Sequence, residues 1–165
     1  VRAARRGDAA AVEQLFRRHW PAVYRAAYLV VQDRAAAEDV AQEAFLNAVA
    51  ALDRFDRRRP LAPWLHRIAV NRAIDWTRRR ALRREQPEAA DAEATEPPPE
   101  GLSGELAAAL RGLTPEHRAV VVLRYLLEYT PGEIATMLDV PRGTVNSRLR
   151  RGLDALERAL GEERP

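Results

Sequence analysis

The chain has 165 residues, enough for one ordinary domain or two small ones, and a formal net charge of +3. Hydrophobic residues make up 47% but aromatics only 6%, and much of the apolar fraction is alanine, so any core is modest and spread over helix faces. The absence of cysteine excludes a disulfide framework and a Cys-based zinc site, and no apolar run approaches the ~20 residues of a membrane span. All 27 basic residues are arginine, the side chain that grips phosphate and guanine edges through two donors at once. The chain begins at Val1, so a start methionine and further residues could precede it.

Ahead of residue 85 the periodicity is helical throughout. Asp8 caps a helix carrying Val12, Leu15 and Phe16, and Pro21 starts the next turn, with Val23, Tyr24, Ala27 and Tyr28 continuing the stripe. A third stretch, Arg34 to Leu52, places Ala37, Val40, Ala41, Ala44, Phe45, Ala48 and Leu52 at i, i+3, i+4 spacing. A basic loop, Asp53 to Pro63, leads into a helix from Pro63 to Arg84 that is expected to bury Leu65, Ile68, Ala69, Ala73 and Trp76. Residues 54–84 hold eleven Arg against two acids, Asp56 and Asp75.

The segment Glu85 to Glu100 reads EQPEAADAEATEPPPE, with six acidic residues, no basic one and nothing large and apolar to anchor it. Three consecutive prolines forbid helix and favour an extended path, so a solvated, flexible linker is expected.

Beyond it, Ser103 caps a helix to Leu110 that Gly112 ends, and Thr114-Pro115 opens the next, carrying Val120, Leu123, Tyr125 and Leu126 or Leu127. Thr130-Pro131-Gly132-Glu133 is a capping box, and its helix bears Ile134, Met137 and Leu138. Asp139-Val140-Pro141 turns the chain into a last helix with Val145, Leu149, Leu153, Leu156 and Leu160 inward. No strand pattern and no long-period repeat occurs. The expected fold is all-α: two small helical domains, residues 1–84 and 103–165, joined by a flexible acidic linker, 85–102.

The unit Thr130 to Arg151 meets the requirements of a helix-turn-helix: small Ala135 for the close crossing, a tight turn at Asp139-Val140, and inward Val145. Arg142, Thr144, Asn146, Ser147, Arg148, Arg150 and Arg151 remain outward. Arg suits phosphate and guanine, Asn suits adenine, and Ser or Thr suits either, so this is a DNA-reading surface.

The run LTPEHRAVVVLRYLLEYTPGEIATMLDVPRGTVNSRLRRGLDAL resembles region 4 of the sigma-70 family, in particular the short extracytoplasmic-function (group 4) sigma factors. GDAAAVEQLFRRHWPAVYRAAYLVVQDRAAAEDVAQEAFLNA and RFDRRRPLAPWLHRIAVNRAIDWTRRR resemble the two halves of region 2. The resemblance implies a bacterial RNA polymerase sigma factor that docks on core polymerase and directs promoter-specific initiation by reading −10 and −35 elements.

On AEDVAQEAF, Glu38, Asp39, Gln42 and Glu43 share one helix face; like charges so placed do not help the helix, and the family implies that this face binds core polymerase. For the −10 element it implies Arg54, Phe55, Asp56, Arg57, Arg58 and Arg59 in the loop, holding a base flipped from the non-template strand. Arg67, Asn71, Arg72, Arg78 and Arg79 on the following helix would hold phosphates. For the −35 element it implies Arg142, Thr144, Asn146, Ser147, Arg148, Arg150 and Arg151.

Four positions depart from the family pattern: Val49 where an aromatic is common, Asn47 or Ala50 where a base is, Asp139 in place of a turn glycine, and Asn146 in place of a basic residue. The implied partners are core polymerase, promoter DNA and an anti-sigma factor, in the cytoplasm. No cofactor, catalytic residue or metal ligand is implied. His19, His66 and His117 are scattered, without metal spacing, and no phosphate loop or nucleophile motif supports an enzyme. A regulator with a similar helix-turn-helix and an N-terminal helical sensor or dimerisation domain is the alternative; it leaves the acidic face and the Arg-rich helix unexplained.

Overall fold

The computed structural model describes residues 1–84 and 101–161. The acidic segment expected as a flexible linker therefore lies outside the described residues, except for its last two. Of those, Leu102 is buried, as a large apolar side chain should be. No strand occurs among the described residues. Two compact units divide the chain, residues 1–76 and 77–165. The division falls inside a helix, ahead of the boundary expected after Arg84.

In the first unit, α1 (Arg2–Arg5) precedes α2 (Ala9–Val31), α3 (Arg34–Ala50) and the start of α4 (Leu61–Arg84), with a 3-10 turn at Leu52–Arg54. The carboxylate of Asp8 accepts from the Ala11 amide at 3.1 Å, and that of Asp33 from Ala36 at 2.9 Å, satisfying donors that each helix start leaves open. Pro21 does not begin a new helix; α2 runs through it. Proline removes one intrahelical bond there, but aromatic contacts bridge the site: Phe16 on Trp20 (4.8 Å between ring centroids) and Trp20 on Tyr24 (6.2 Å).

Between α2 and α3 the core is built largely from small residues: Ala26, Ala27, Ala37, Ala41, Ala44 and Ala48 are all nearly inaccessible, with Val23, Leu29, Val40 and Phe45 filling the space between. Alanine lets the two helices approach closely. On α4 the buried stripe is Leu65, Ala69, Val70, Ala73 and Ile74, whereas Ile68 and Trp76 are only half-buried. The inward face is thus shifted from the expected register: Val70 and Ile74, an i, i+4 pair, stand inside where Ile68 and Trp76 were expected.

The second unit contains α5 (Gly104–Arg111), α6 (Pro115–Val121), α7 (Pro131–Leu138) and α8 (Arg142–Gly161). Ser103 and Thr114 cap α5 and α6 through their hydroxyls. Buried Arg118 donates from its guanidinium to the carbonyls of Leu110 (2.7 Å), Arg111 (2.9 Å) and Leu113 (3.1 Å), closing the end of α5 onto α6. Burial lowers its pKa to about 10, so it remains charged at neutral pH.

After Val121 the helix widens into a π turn, Val122–Leu126. One residue is thereby added per turn and the face rotates: Val120 and Leu123 are buried as expected, but Tyr125 is exposed, with the Arg124 guanidinium 5.7 Å from its ring centre. Helices α5, α6 and α7 all pack on α8. Its buried stripe is Val145, Leu149, Gly152 and Leu156, and Leu153, expected inside, is partly exposed.

Candidate polymerase and nucleic-acid interfaces

The acidic face of α3 forms because Ala37, Val40, Ala41, Ala44 and Phe45 turn the opposite side of the helix into the core. Glu38, Asp39, Gln42 and Glu43 are consequently all exposed. Leu46, one turn beyond Gln42 and Glu43, is 71% exposed, an apolar side chain standing at the end of a carboxylate row. Only its position relative to the acids makes it notable, which is why composition and periodicity pass over it.

Glu43 is paired across the unit: Arg72 of α4 donates to its Oε1 at 2.9 Å. Both side chains are substantially solvated, so the pair contributes at most about 1 kcal/mol. It nonetheless turns Arg72 toward α3, away from the role of a freely exposed phosphate clamp.

Between α3 and α4, Arg54, Arg57, Arg58 and Arg59 are exposed. Asp56 shapes the turn that carries them. Its Oδ1 accepts from the Arg58 amide (3.0 Å) and from Arg58 Nε (3.2 Å), while its carbonyl accepts from the Arg59 amide (3.0 Å). Hydrogen bonding from the Arg58 backbone and side chain holds its carboxyl below the usual carboxylate range.

Phe55 is 6% exposed and lies against Trp64, ring centroids 4.9 Å apart. It therefore anchors the loop to α4, the core placement that an aromatic at this position allows as readily as base stacking. On α4, Arg67 and Arg79 are exposed, Arg78 is exposed but donates from Nε to Glu116 Oε1 at 2.6 Å, and the Asn71 amide nitrogen donates to the Arg67 carbonyl at 2.9 Å.

In the second unit the capping box is complete. Glu133 Oε2 accepts from the Thr130 amide at 2.7 Å and the Thr130 hydroxyl accepts from the Glu133 amide at 3.3 Å. Asp139 takes the left-handed conformation (φ 53°, ψ 50°), one that glycine adopts at less cost. The amides of Asp139 and Val140 both donate to the Ala135 carbonyl, closing the turn.

Ala135 itself is only half-buried; the inaccessible residue of α7 is Ile134. A close approach in this unit lies elsewhere, at Gly152. A Cβ there would stand 2.8 Å from Val121 Cγ2 and 3.5 Å from the His117 carbonyl oxygen. A glycine inside a long helix gives no pattern signal of this kind, because its partner belongs to another helix.

Of the expected reading residues, Arg142, Asn146, Arg150 and Arg151 are exposed, and Thr144, Ser147 and Arg148 are half-buried. The Ser147 hydroxyl donates to the Thr144 carbonyl at 3.0 Å, leaving its lone pairs to accept. Arg148 lies three residues after Val145 and four before Gly152, on the flank of the buried stripe. Arg150 stands clear of it. Arg150→Ala is therefore expected to weaken −35-dependent initiation by ~1–3 kcal/mol, and Arg148→Ala by less, as measured by run-off titration. Equal losses, or no loss from either variant, would count against this orientation of α8.

His66 and His19 bear on stability. Burial, and secondarily the charge of His19, lowers the pKa of His66 from its ordinary 6.5. The folded chain then binds this proton less tightly than the unfolded chain, so stability is complete above 6.5 and falls as pH drops through that value toward the lowered one. Burial and Arg18 lower His19 in the same direction. The expected result is a lower Tm at about pH 5.5 than at about pH 7.5, with a smaller difference in His66→Gln. Among the described residues, no group of three or more His, Asp or Glu could hold a metal ion. No helix there is long and apolar enough to cross a membrane.

This arrangement, an acidic face and a basic loop on one helical unit and a helix-turn-helix on the next, coincides with two family matches. Residues 15–83 match Sigma-70 region 2, and residues 103–156 match Sigma-70, region 4. The chain is 31% identical to the ECF RNA polymerase sigma factor SigW of Bacillus subtilis, over 97% of this chain and 94% of the relative. It is 35% identical to the ECF RNA polymerase sigma factor SigL of Mycobacterium tuberculosis, over 98% and 96%.

Among solved structures, CnrH in complex with the cytosolic domain of CnrY aligns with a TM-score of 0.70 and 30% identity, covering 98% of this chain and 94% of that one. The sigma factor RpoE of Bartonella quintana, solved with the anti-sigma factor NepR, shares the fold at a TM-score of 0.75 and 23% identity, over 92% and 98%. The chain belongs to the sigma-70 family, as an ECF RNA polymerase sigma factor.

Proposed function

We propose that this sigma factor docks on core RNA polymerase through the acidic face of α3 and reads a promoter at two places. The observation that carries this reading is the separation of chemistries: exposed Glu38, Asp39, Gln42 and Glu43 on α3, and an arginine-lined loop and α4 beside them. Carboxylates suit a basic protein surface and repel DNA, whereas the loop and α4 suit phosphate. Arg54, Arg57, Arg58 and Arg59, with Arg67 and Arg79, take the −10 strand, and Arg78 would join them on leaving Glu116. Phe55, Asp56, Asn71 and Arg72 hold that surface in shape.

On α8, Arg142, Asn146, Arg150 and Arg151 read the −35 duplex from the major groove, with Thr144, Ser147 and Arg148 at the margin of the contact. Residues 1–84 and 103–165 act as two anchors joined by the acidic segment, whose six carboxylates would follow a basic channel of the polymerase. The protein acts stoichiometrically, not as an enzyme, and works in the cytoplasm, where its polymerase is. The sigma factor RpoE of Bartonella quintana is solved in complex with the anti-sigma factor NepR; an anti-sigma factor is the further partner proposed for this chain.

Mixing the full chain with sigma-free core polymerase and a library of promoter fragments tests the reading. Specific run-off transcripts that require both proteins support it. Avid sequence-specific duplex binding with no effect on polymerase would favour a helix-turn-helix regulator instead.

A further inference from the structure

The first helix, α1, is only four residues long and packs on α2, yet its last residue reaches far along the chain. Arg5 Nε donates to the Leu52 carbonyl at 2.7 Å, and one terminal nitrogen donates to the carbonyls of Asp53 (2.6 Å) and Phe55 (2.7 Å). The backbone leaves the 3-10 turn here. One planar guanidinium, with donors in fixed directions, meets three carbonyls of this turn and its exit; that of Leu52 also accepts from the Phe55 amide at 3.2 Å. Lysine, a single charge on a flexible stem, cannot reproduce that fork.

Leu52 and Phe55 are both buried, so the segment Arg5 grips is also held from below. Asp56 and the exposed Arg57, Arg58 and Arg59 follow at once. The loop is thus fixed at its base by two devices, the Phe55 ring on Trp64 and the Arg5 fork on the backbone, while its arginines project. Gly7, at φ 81°, permits the sharp passage from α1 into the Asp8 cap and so keeps Arg5 beside the loop.

We infer that Arg5 is a positioning residue for promoter reading: it sets the path of the loop at Leu52–Phe55 and thereby the aim of Arg57, Arg58 and Arg59, without touching DNA itself. This rests on the reading of that loop as a −10 contact. It assigns a specificity role to the N-terminal helix, whose residues lie before the matched region 2.

The test uses full-length holoenzyme and promoter fragments randomised across the −10 and −35 elements, selected for open-complex formation. Wild type, Arg5→Ala, Arg5→Lys and the triple variant Arg57→Ala, Arg58→Ala, Arg59→Ala are compared. Base preference is a ratio among active molecules, so a loss of folded protein alone leaves it unchanged; Tm is measured alongside.

The expected result is a roughly tenfold flattening of preference at the −10 positions the triple variant also flattens. Preference at −35 should be retained, and Arg5→Lys should recover only part of the loss. If the triple variant flattens the −10 preference and Arg5→Ala does not, the inference about Arg5 is wrong while the loop reading stands. If the triple variant leaves every −10 preference intact, the loop reading fails and takes the inference with it.

Discussion

Reversing charge on the α3 face, with Glu38→Arg and Asp39→Arg together, should abolish promoter-directed transcription while leaving the helical content of the chain unchanged. Both side chains are exposed, and α3 is held by the opposite stripe of Ala37, Val40, Ala41, Ala44 and Phe45, so the fold does not depend on them. Placing like charge against a basic partner surface costs about 2–5 kcal/mol, on the order of a hundredfold or more in affinity for core polymerase. Leu46→Ala should add a smaller loss, roughly tenfold, if that exposed side chain seats in the partner's surface. Glu43 is the poorer choice for this experiment, because its removal also releases Arg72. Titration of core polymerase with labelled protein checks the prediction, and wild-type affinity in the double variant would show that the docking face lies elsewhere.

The second large effect concerns Gly152. An alanine there gains up to ~1 kcal/mol of helix propensity. Its Cβ, however, would stand 2.8 Å from Val121 Cγ2, well inside van der Waals contact. Val121 is β-branched and cannot swing aside cheaply, so overpacking of about 1–3 kcal/mol should win. Gly152→Ala is expected to lower stability by about 1 kcal/mol, and Gly152→Leu to unfold the helix-turn-helix unit, since a unit of this size has only a few kcal/mol to lose.

Gly143 is the internal control. It lies in the same helix with nothing within 4 Å of its would-be Cβ, so Gly143→Ala should be neutral or stabilising. Val121→Ala in the Gly152→Ala background should restore part of the loss, because the two side chains contend for one space. Thermal or urea unfolding of the four variants decides between a crowded crossing and a merely helix-weak glycine.

These two sites differ in how far they could be read from the sequence, and the difference is physical. Helix starts are local: Asp8, Ser103, Thr114 and the Thr130–Glu133 box each act on an amide within three residues, and all of them cap as anticipated. The acidic face of α3 was legible for the same reason, since i, i+4 spacing alone sets which residues share a side. The turn at Asp139-Val140 was likewise expected between two helical patterns, and its left-handed conformation was implied by the resemblance, in which glycine is common there.

What depends on a neighbour was not legible. Val70 and Ile74 replace Ile68 and Trp76 in the core, and the helix's own spacing does not say which of these faces turns inward. Gly152 replaces Leu153 because α6 crosses there, and Tyr125 turns outward because a π turn intervenes. Arg5 reaches carbonyls about fifty residues away, and a four-residue helix has too few turns to show a period. Phe55 is the plainest case: an aromatic in a basic loop suits base stacking and core equally well until Trp64 is seen beneath it.

The central claim is that one chain holds a promoter at two points, the −35 duplex through α8 and the opened −10 strand through the loop and α4, and only when seated on core polymerase. Footprinting of a responsive promoter, with single-strand-specific modification of thymines in the same samples, tests it most directly. The account predicts protection at −35 together with reactive thymines at −10 when chain and core polymerase are both present, and neither signal with either alone. Strong −35 protection by the chain alone, with no opening at −10 when core polymerase is added, would contradict it.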